Sequence, residues 1–413
     1  MDRNLRLLTL GVGVRTFGAA LYNPFLALFL YAILHIGYLE IGLLIVGVGL
    51  VQLPFGLVGG LLADRIGRRR LILLGLAAEA AATFGLAYGF AIQSLLFAVI
   101  SAGAGGVVTS TCGAAFSAYI ADYSHGSDRT RAFTWYRIGF NAGFAVGVGL
   151  GGSLVALLGF PEAVAIAAAV VSVAAGLLAL LLPPSPYDEK LAAGAAPSSE
   201  PLSAPKGRSL GESLRILSRD RVAVEVAVAF MFASLVYGQW AVTFPLFVHN
   251  VMGIPYGLLG AGLALNGLIV VVGQAPTTEA AIGWRHTSLS GLAVVLLVVS
   301  YLLLGVAGLY AALPVEAFLV AVIVLTLGEN IGSIPSSTLP SNIAPPEEIG
   351  AYNGAINMFL GLGGLAAIGV GGAVLSATAN PLLIWLILSA PAVPALIFLR
   401  LAARRIPLEA DRA

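Results

Sequence analysis

Apolar runs recur along this chain, each broken by a short polar stretch. Most are about 20 residues or longer, the length needed to cross a bilayer as a helix. They fall near 5–34, 38–63, 71–91, 93–121, 131–158 and 161–182, then near 221–249, 255–281, 287–308, 313–343, 349–376 and 380–401. The first run is too long for the apolar core of a signal peptide and has no convincing cleavage site, so it reads as the first span. The pattern predicts an all-α membrane protein with twelve transmembrane helices.

One hydrophilic stretch, 183–208, divides the spans six and six. Its prolines and small polar residues bury too little apolar surface to fold, which predicts a mobile linker. Beyond it, Ser209 and Glu212 form a capping-box pattern. Leu210, Leu214 and Leu217 share one face there, opposite Arg208, Arg215 and Arg219. That predicts a short amphipathic helix on the membrane surface or connecting the spans. The expected organisation is a six-helix bundle over 1–182, a linker over 183–220, a second bundle over 221–401 and a tail over 402–413.

The two bundles echo each other in sequence. Tyr38 and Gly42 are matched by Tyr256 and Gly260, Pro24 by Pro245, and Tyr136 and Asn141 by Tyr352 and Asn357. Together these matches predict a duplicated, pseudo-symmetric unit, an arrangement common in transporters with a central site.

Charge placement orients the chain. With a cytoplasmic N-terminus, the inner segments hold Arg3 and Arg6, Arg65 to Arg70, Arg129 and Arg131, the region from Lys190 to Arg221, Arg285, and Arg400 to Arg412. The six connections on the other side contain no Lys or Arg, as the positive-inside rule requires. Both termini are therefore expected in the cytoplasm, and the location is an integral plasma-membrane one. Composition agrees: 59% of residues are hydrophobic and 10% charged, against roughly 25% charged in soluble domains. The 51 glycines suit close packing of membrane helices. The single cysteine, Cys112, excludes a disulfide framework and a cysteine-rich metal site and reads as core packing. No metal and no cofactor are expected.

Between the second and third spans stands Gly60-Leu-Leu-Ala-Asp64-Arg65-Ile-Gly67-Arg68-Arg69-Arg70. Gly67 permits a tight turn, and the arginines suit an anionic membrane surface. This loop resembles the signature of the major facilitator superfamily at every characteristic position, and the resemblance extends over the whole chain. It implies that Asp64 latches the two halves near the start of the eleventh helix, around 349–353, with Arg129 or Arg131 as partners. The set expected to form the latch is Gly60, Asp64, Arg65, Gly67, Arg68, Arg69, Arg129 and Arg131. Two departures from the family pattern count against an antiporter. Val148 stands where the glycine-rich antiporter motif of the fifth span has proline, and the fourth span lacks the buried Arg of many proton-coupled drug antiporters. The second-half loop, 276–286, keeps only Gly283 and Arg285, so it supports no second latch.

Ionisable groups at membrane depth are functional candidates by default. Arg15 lies roughly 15 Å into the first span at about 1.5 Å per residue, and Glu329 sits mid-way along the tenth. Glu79 in the third span and Arg137 near the end of the fifth complete the candidate coupling set. Whether Arg15 pairs with Glu79 or with Glu329 is open at this level. The neutral polar residues Asn23, Gln52, Asn141 and Gln239 are candidates for a substrate cavity. So are Asn266, Asn330 and Asn357, all on helices that line the cavity in the family the chain resembles. Each could equally be a packing hydrogen bond, worth about 0.6 kcal/mol.

No catalytic residues are expected. A Walker loop, an HExxH motif and a nucleophile elbow are all missing, and the four histidines do not cluster. The leading expectation is secondary active transport of a small molecule by alternating access, as proton-coupled export of a drug or metabolite; the alternative is an uptake transporter or uniporter for a sugar or organic anion. A receptor or a membrane enzyme is the less favoured reading. The implied partners are the substrate, protons if transport is coupled, and lipid. Nucleic acid is not expected, and the protein is expected to be a monomer.

Overall fold

The computed structural model describes residues 3–124, 127–193, 210–310 and 313–412, and among these the chain is helical almost throughout. Spans α1 (Arg3–Leu34), α2 (38–66), α3 (Arg68–Ala91), α4 (Leu95–Asp122), α5 (Ser127–Leu158) and α6 (Phe160–Leu181) form the first half. The second half comprises α7 (Arg221–Asn250), α8 (Tyr256–Ala281), α9 (His286–Tyr310), α10 (Pro314–Ile343), α11 (Ile349–Ala377) and α12 (Pro381–Ala403). Eleven of these are long and apolar enough to cross a membrane. The twelfth, α2, is divided into Tyr38–Gln52 and Phe55–Ile66. Pro54 stands at that break, where its missing N–H and its ring oppose a continuous helix.

Proline also explains a repeated break in the first span of each half. A proline leaves the carbonyl four residues earlier without its helical donor. For Pro24 that carbonyl belongs to Ala20, where the first helical stretch ends before a 3-10 turn over Asn23–Phe25. For Pro245 it belongs to Ala241, beside the 3-10 turn over Gly238–Trp240. The duplication read from sequence is thus carried in backbone shape.

The helices gather into two compact units. One holds the described residues of 1–36, 44–201 and 255–267, and the other those of 37–43, 202–254 and 268–413. Each unit takes in a short stretch from the other half of the sequence. In the first, the Tyr256 ring at the start of α8 meets Phe160 edge-on at 5.2 Å. In the second, the Leu39 amide at the start of α2 donates to Ser376 Oγ at 3.0 Å.

Leu8, Val12, Ile72, Leu76, Phe116 and Tyr119 form the heart of the first core, and the buried thiol of Cys112 packs among them. Phe230, Leu339, Tyr352, Ile356 and Leu399 form the second. There α7 and α11 approach so closely that a Cβ on Gly363 would collide with the Met231 carbonyl oxygen. Large apolar side chains also cover the outside of the spans, with Leu157 and Leu180 leaving 80% and 84% of their surface exposed. Such surfaces belong in lipid. The chain is an integral membrane protein.

Among the described residues, two short helices lie between α6 and α7. The expected helix at Leu210–Leu217 is present and buries Leu217 in the second core; Ser209 lies outside the described residues. The stretch expected to be mobile over 183–208 differs in part, because Pro186–Ala192 is helical. Ser185 Oγ accepts the Asp188 amide at 3.2 Å, and the Asp188 carboxylate accepts the Ser185 amide at 2.8 Å. This reciprocal cap satisfies two donors at once, and contacts with the signature loop hold the helix in place.

Candidate transport site and loop latch

In the first unit, Arg15 of α1 meets Glu79 of α3, with Nε 2.6 Å from Oε2. Its Nη2 donates to Thr109 Oγ1 of α4 at 3.2 Å, and the guanidinium lies 5.9 Å from the Phe116 ring centroid. Arg15 and Glu79 are both buried, at 8% and 6% exposure. Either charge alone would be expensive in such surroundings, whereas the pair leaves the interior close to neutral. The question of the Arg15 partner is answered: it is Glu79.

In the second unit, Glu329 of α10 accepts a hydrogen bond from Tyr237 Oη of α7 at 2.9 Å. Local packing explains its orientation. Gly328 and Gly332, one helical turn apart, both lie against Ala293 of α9. With that face committed to α9, the adjacent Glu329 turns toward α7. Tyr301 supports Tyr237 from behind, donating to its carbonyl at 3.4 Å and stacking on Trp385 at 4.5 Å. Asn330 is buried, reaches the Ile269 carbonyl at 3.4 Å and leaves its own Oδ1 without a hydrogen bond. Nearby, Gln274 Nε2 donates to Ser333 Oγ at 3.0 Å.

The remaining polar candidates have different surroundings. Gln239 is fully buried, donating to the Leu235 and Ala367 carbonyls while accepting from Thr243. It holds α7 against α11. Asn266 is buried, and Gln52 sits at the break in α2 with its amide against Gly106 of α4. Asn141 is half-buried, whereas Asn23, Arg137 and Asn357 are exposed.

At the signature loop, Asp64 pairs with Arg68 at 2.6 Å. The buried Arg68 guanidinium also lies 3.5 Å from Asp122 of α4 and 3.6 Å from the Tyr187 ring centroid. Tyr187 Oη donates to the Asp64 carbonyl, and Ser185 Oγ to Asp122. Arg69 spans to the end of α6 through the Leu182 and Ala179 carbonyls. Gly60 is half-buried and Arg65 exposed. The side chains of Arg129 and Arg131 lie outside the described residues. Sequence reasoning missed Asp122, Ser185, Tyr187 and Asp188. Ser185 and Asp188 did carry a signal, the S-x-x-D spacing of a capping box.

A twelve-span helical chain with a signature loop between α2 and α3 and charged groups buried in the spans has the build of a membrane transporter. The pattern that defines the Major Facilitator Superfamily matches residues 8–368, and the chain belongs to that family. The uncharacterized MFS-type transporter YttB of Bacillus subtilis (strain 168) is 24% identical over 363 residues, covering 86% of this chain and 84% of that protein. The multidrug resistance protein MdtH of Aeromonas salmonicida (strain A449) is 28% identical over 361 residues, covering 82% and 80%. Among solved structures, a mutant of the nucleoside transporter NupG superposes with a TM-score of 0.76 at 14% identity, covering 97% of this chain and 100% of that one. A POT family transporter in complex with 5-aminolevulinic acid gives 0.75 at 15% identity, covering 98% and 97%. The solved structures share the fold. The protein is a transporter and not an enzyme.

Proposed function

We propose that the protein is a proton-coupled exporter of lipophilic small molecules, working by alternating access of bundles 1–182 and 221–401. In this reading it is a monomer in the plasma membrane with both termini in the cytoplasm. The observation that carries the proposal is the Tyr237–Glu329 hydrogen bond, which places a carboxylate within a span against a neutral hydroxyl. A carboxylate so placed can take up and release a proton as its surroundings change. Asp64, released from Arg68 in another state, serves as the latch.

Two further facts favour export of lipophilic compounds over uptake of an organic anion. Arg15, the deep cation an anion would seek, is committed to Glu79. The relative MdtH is named for multidrug resistance and matches most of the chain. Everted membrane vesicles energised with a proton gradient test the reading against a panel of lipophilic cations, neutral drugs, sugars and organic anions. Gradient-dependent accumulation of lipophilic compounds is expected. Inward movement of a sugar or anion, indifferent to a protonophore, would overturn it.

A further inference from the structure

The end of each six-helix half returns to the start of the third helix of that half. In the first half, the Asp188 carboxylate accepts the backbone amides of Arg68 at 2.6 Å and Arg69 at 3.1 Å, the first residues of α3. In the second half, the Asp411 carboxylate accepts the Thr287 amide at 2.9 Å and the Thr287 hydroxyl at 2.7 Å, and its own carbonyl accepts the His286 amide at 2.6 Å. His286 and Thr287 begin α9. Helix N-termini expose amides without intrahelical acceptors, and a carboxylate there also meets the positive end of the helix dipole.

The correspondence extends to the flanking groups. A glycine with positive φ precedes each capped helix, Gly67 at +94° and Gly283 at +83°. An arginine in each loop reaches back to the sixth helix of its half. Arg69 does so through the Leu182 and Ala179 carbonyls, and Arg285 through the Ala403 carbonyl together with Asp411 at 2.6 Å. Asp411 has no exposed surface, so its charge depends on these donors. The second loop lacks the signature carboxylate, yet it keeps this construction.

We propose that Asp188 and Asp411 are equivalent positioning residues, one for each half, that fix the loop before the third helix by returning the chain beyond the sixth onto its first turn. The loop that carries Asp64 is therefore held by a residue outside the signature. The segment after α12 is a strap of the same kind, independent of what is transported.

Hydrogen–deuterium exchange on the full chain in lipid nanodiscs tests this directly. Loss of an N-terminal cap corresponds to about a fivefold change in a local opening equilibrium. Asp188→Ala should speed exchange by about that factor around residues 66–72 and leave 284–290 unchanged, and Asp411→Ala should do the converse. Asp188→Asn and Asp411→Asn, which keep one acceptor oxygen, should give smaller effects and serve where the alanine variants fail to fold. A nitroxide at Arg70 or Ile282, on a Cys112→Ser background, should gain mobility only with the variant of its own half. Unchanged exchange and mobility at the capped loop, or loosening of both loops by either variant, overturns the proposal.

Discussion

Arg15 and Glu79 meet within the first helical unit with Nε and Oε2 2.6 Å apart, both side chains nearly shut off from their surroundings. Breaking a buried pair of this kind costs about 3–5 kcal/mol, whereas replacing both members by apolar residues of similar volume is often close to neutral. Arg15→Met and Glu79→Leu should each lower the thermal midpoint and folded yield sharply in detergent, and the double variant should recover much of the loss. A double variant less stable than either single one contradicts a structural ion pair.

A second prediction concerns α7 and α11. Because a Cβ on Gly363 would run into a backbone oxygen of Met231, Gly363→Ala must move one helix. Overpacking of this sort costs about 1–3 kcal/mol. A lower thermal midpoint is expected, with the α7–α11 contact the first to open in hydrogen exchange. Wild-type stability in this variant would contradict close contact of α7 and α11 at Gly363.

The topology expected from charge placement is open to labelling. On a Cys112→Ser background, cysteines at the exposed positions Ile92 and Val251 should react with an impermeant maleimide from outside intact cells. Cysteines at Arg70 and Arg404 should react only after the membrane is opened. Labelling of all four from one face would reject the twelve-span arrangement.

Much of the fold was legible in the residues because a bilayer imposes span length and leaves little choice of secondary structure. Pro24 and Pro245 marked the duplication, though not the breaks they impose on the first span of each half, and Gly60 to Arg70 marked the family. The site was less legible. Which carboxylate meets Arg15 depends on how α1 is rotated against α3 and α10, and one sequence does not encode that rotation in any local pattern. Gln239 read as a cavity residue because membrane depth makes any amide conspicuous, but its three bonds place it in helix packing. The contact each of Asp188 and Asp411 makes with the start of a third helix was illegible for another reason, although Asp188 did carry a capping-box spacing with Ser185. Each lies in a hydrophilic segment and gains its role only when the chain folds back on a helix far earlier in the sequence.

Glu329, in the function proposed above, binds the coupling proton, and everything else in that mechanism depends on it. The most direct measurement compares wild type and Glu329→Gln in proteoliposomes, using the best-transported compound of a lipophilic panel. Accumulation against a concentration gradient under an imposed proton gradient is read beside exchange with no proton gradient. The Gln variant is expected to lose uphill accumulation while retaining exchange, because exchange need not release the proton. Full gradient-driven accumulation by Glu329→Gln would contradict that role.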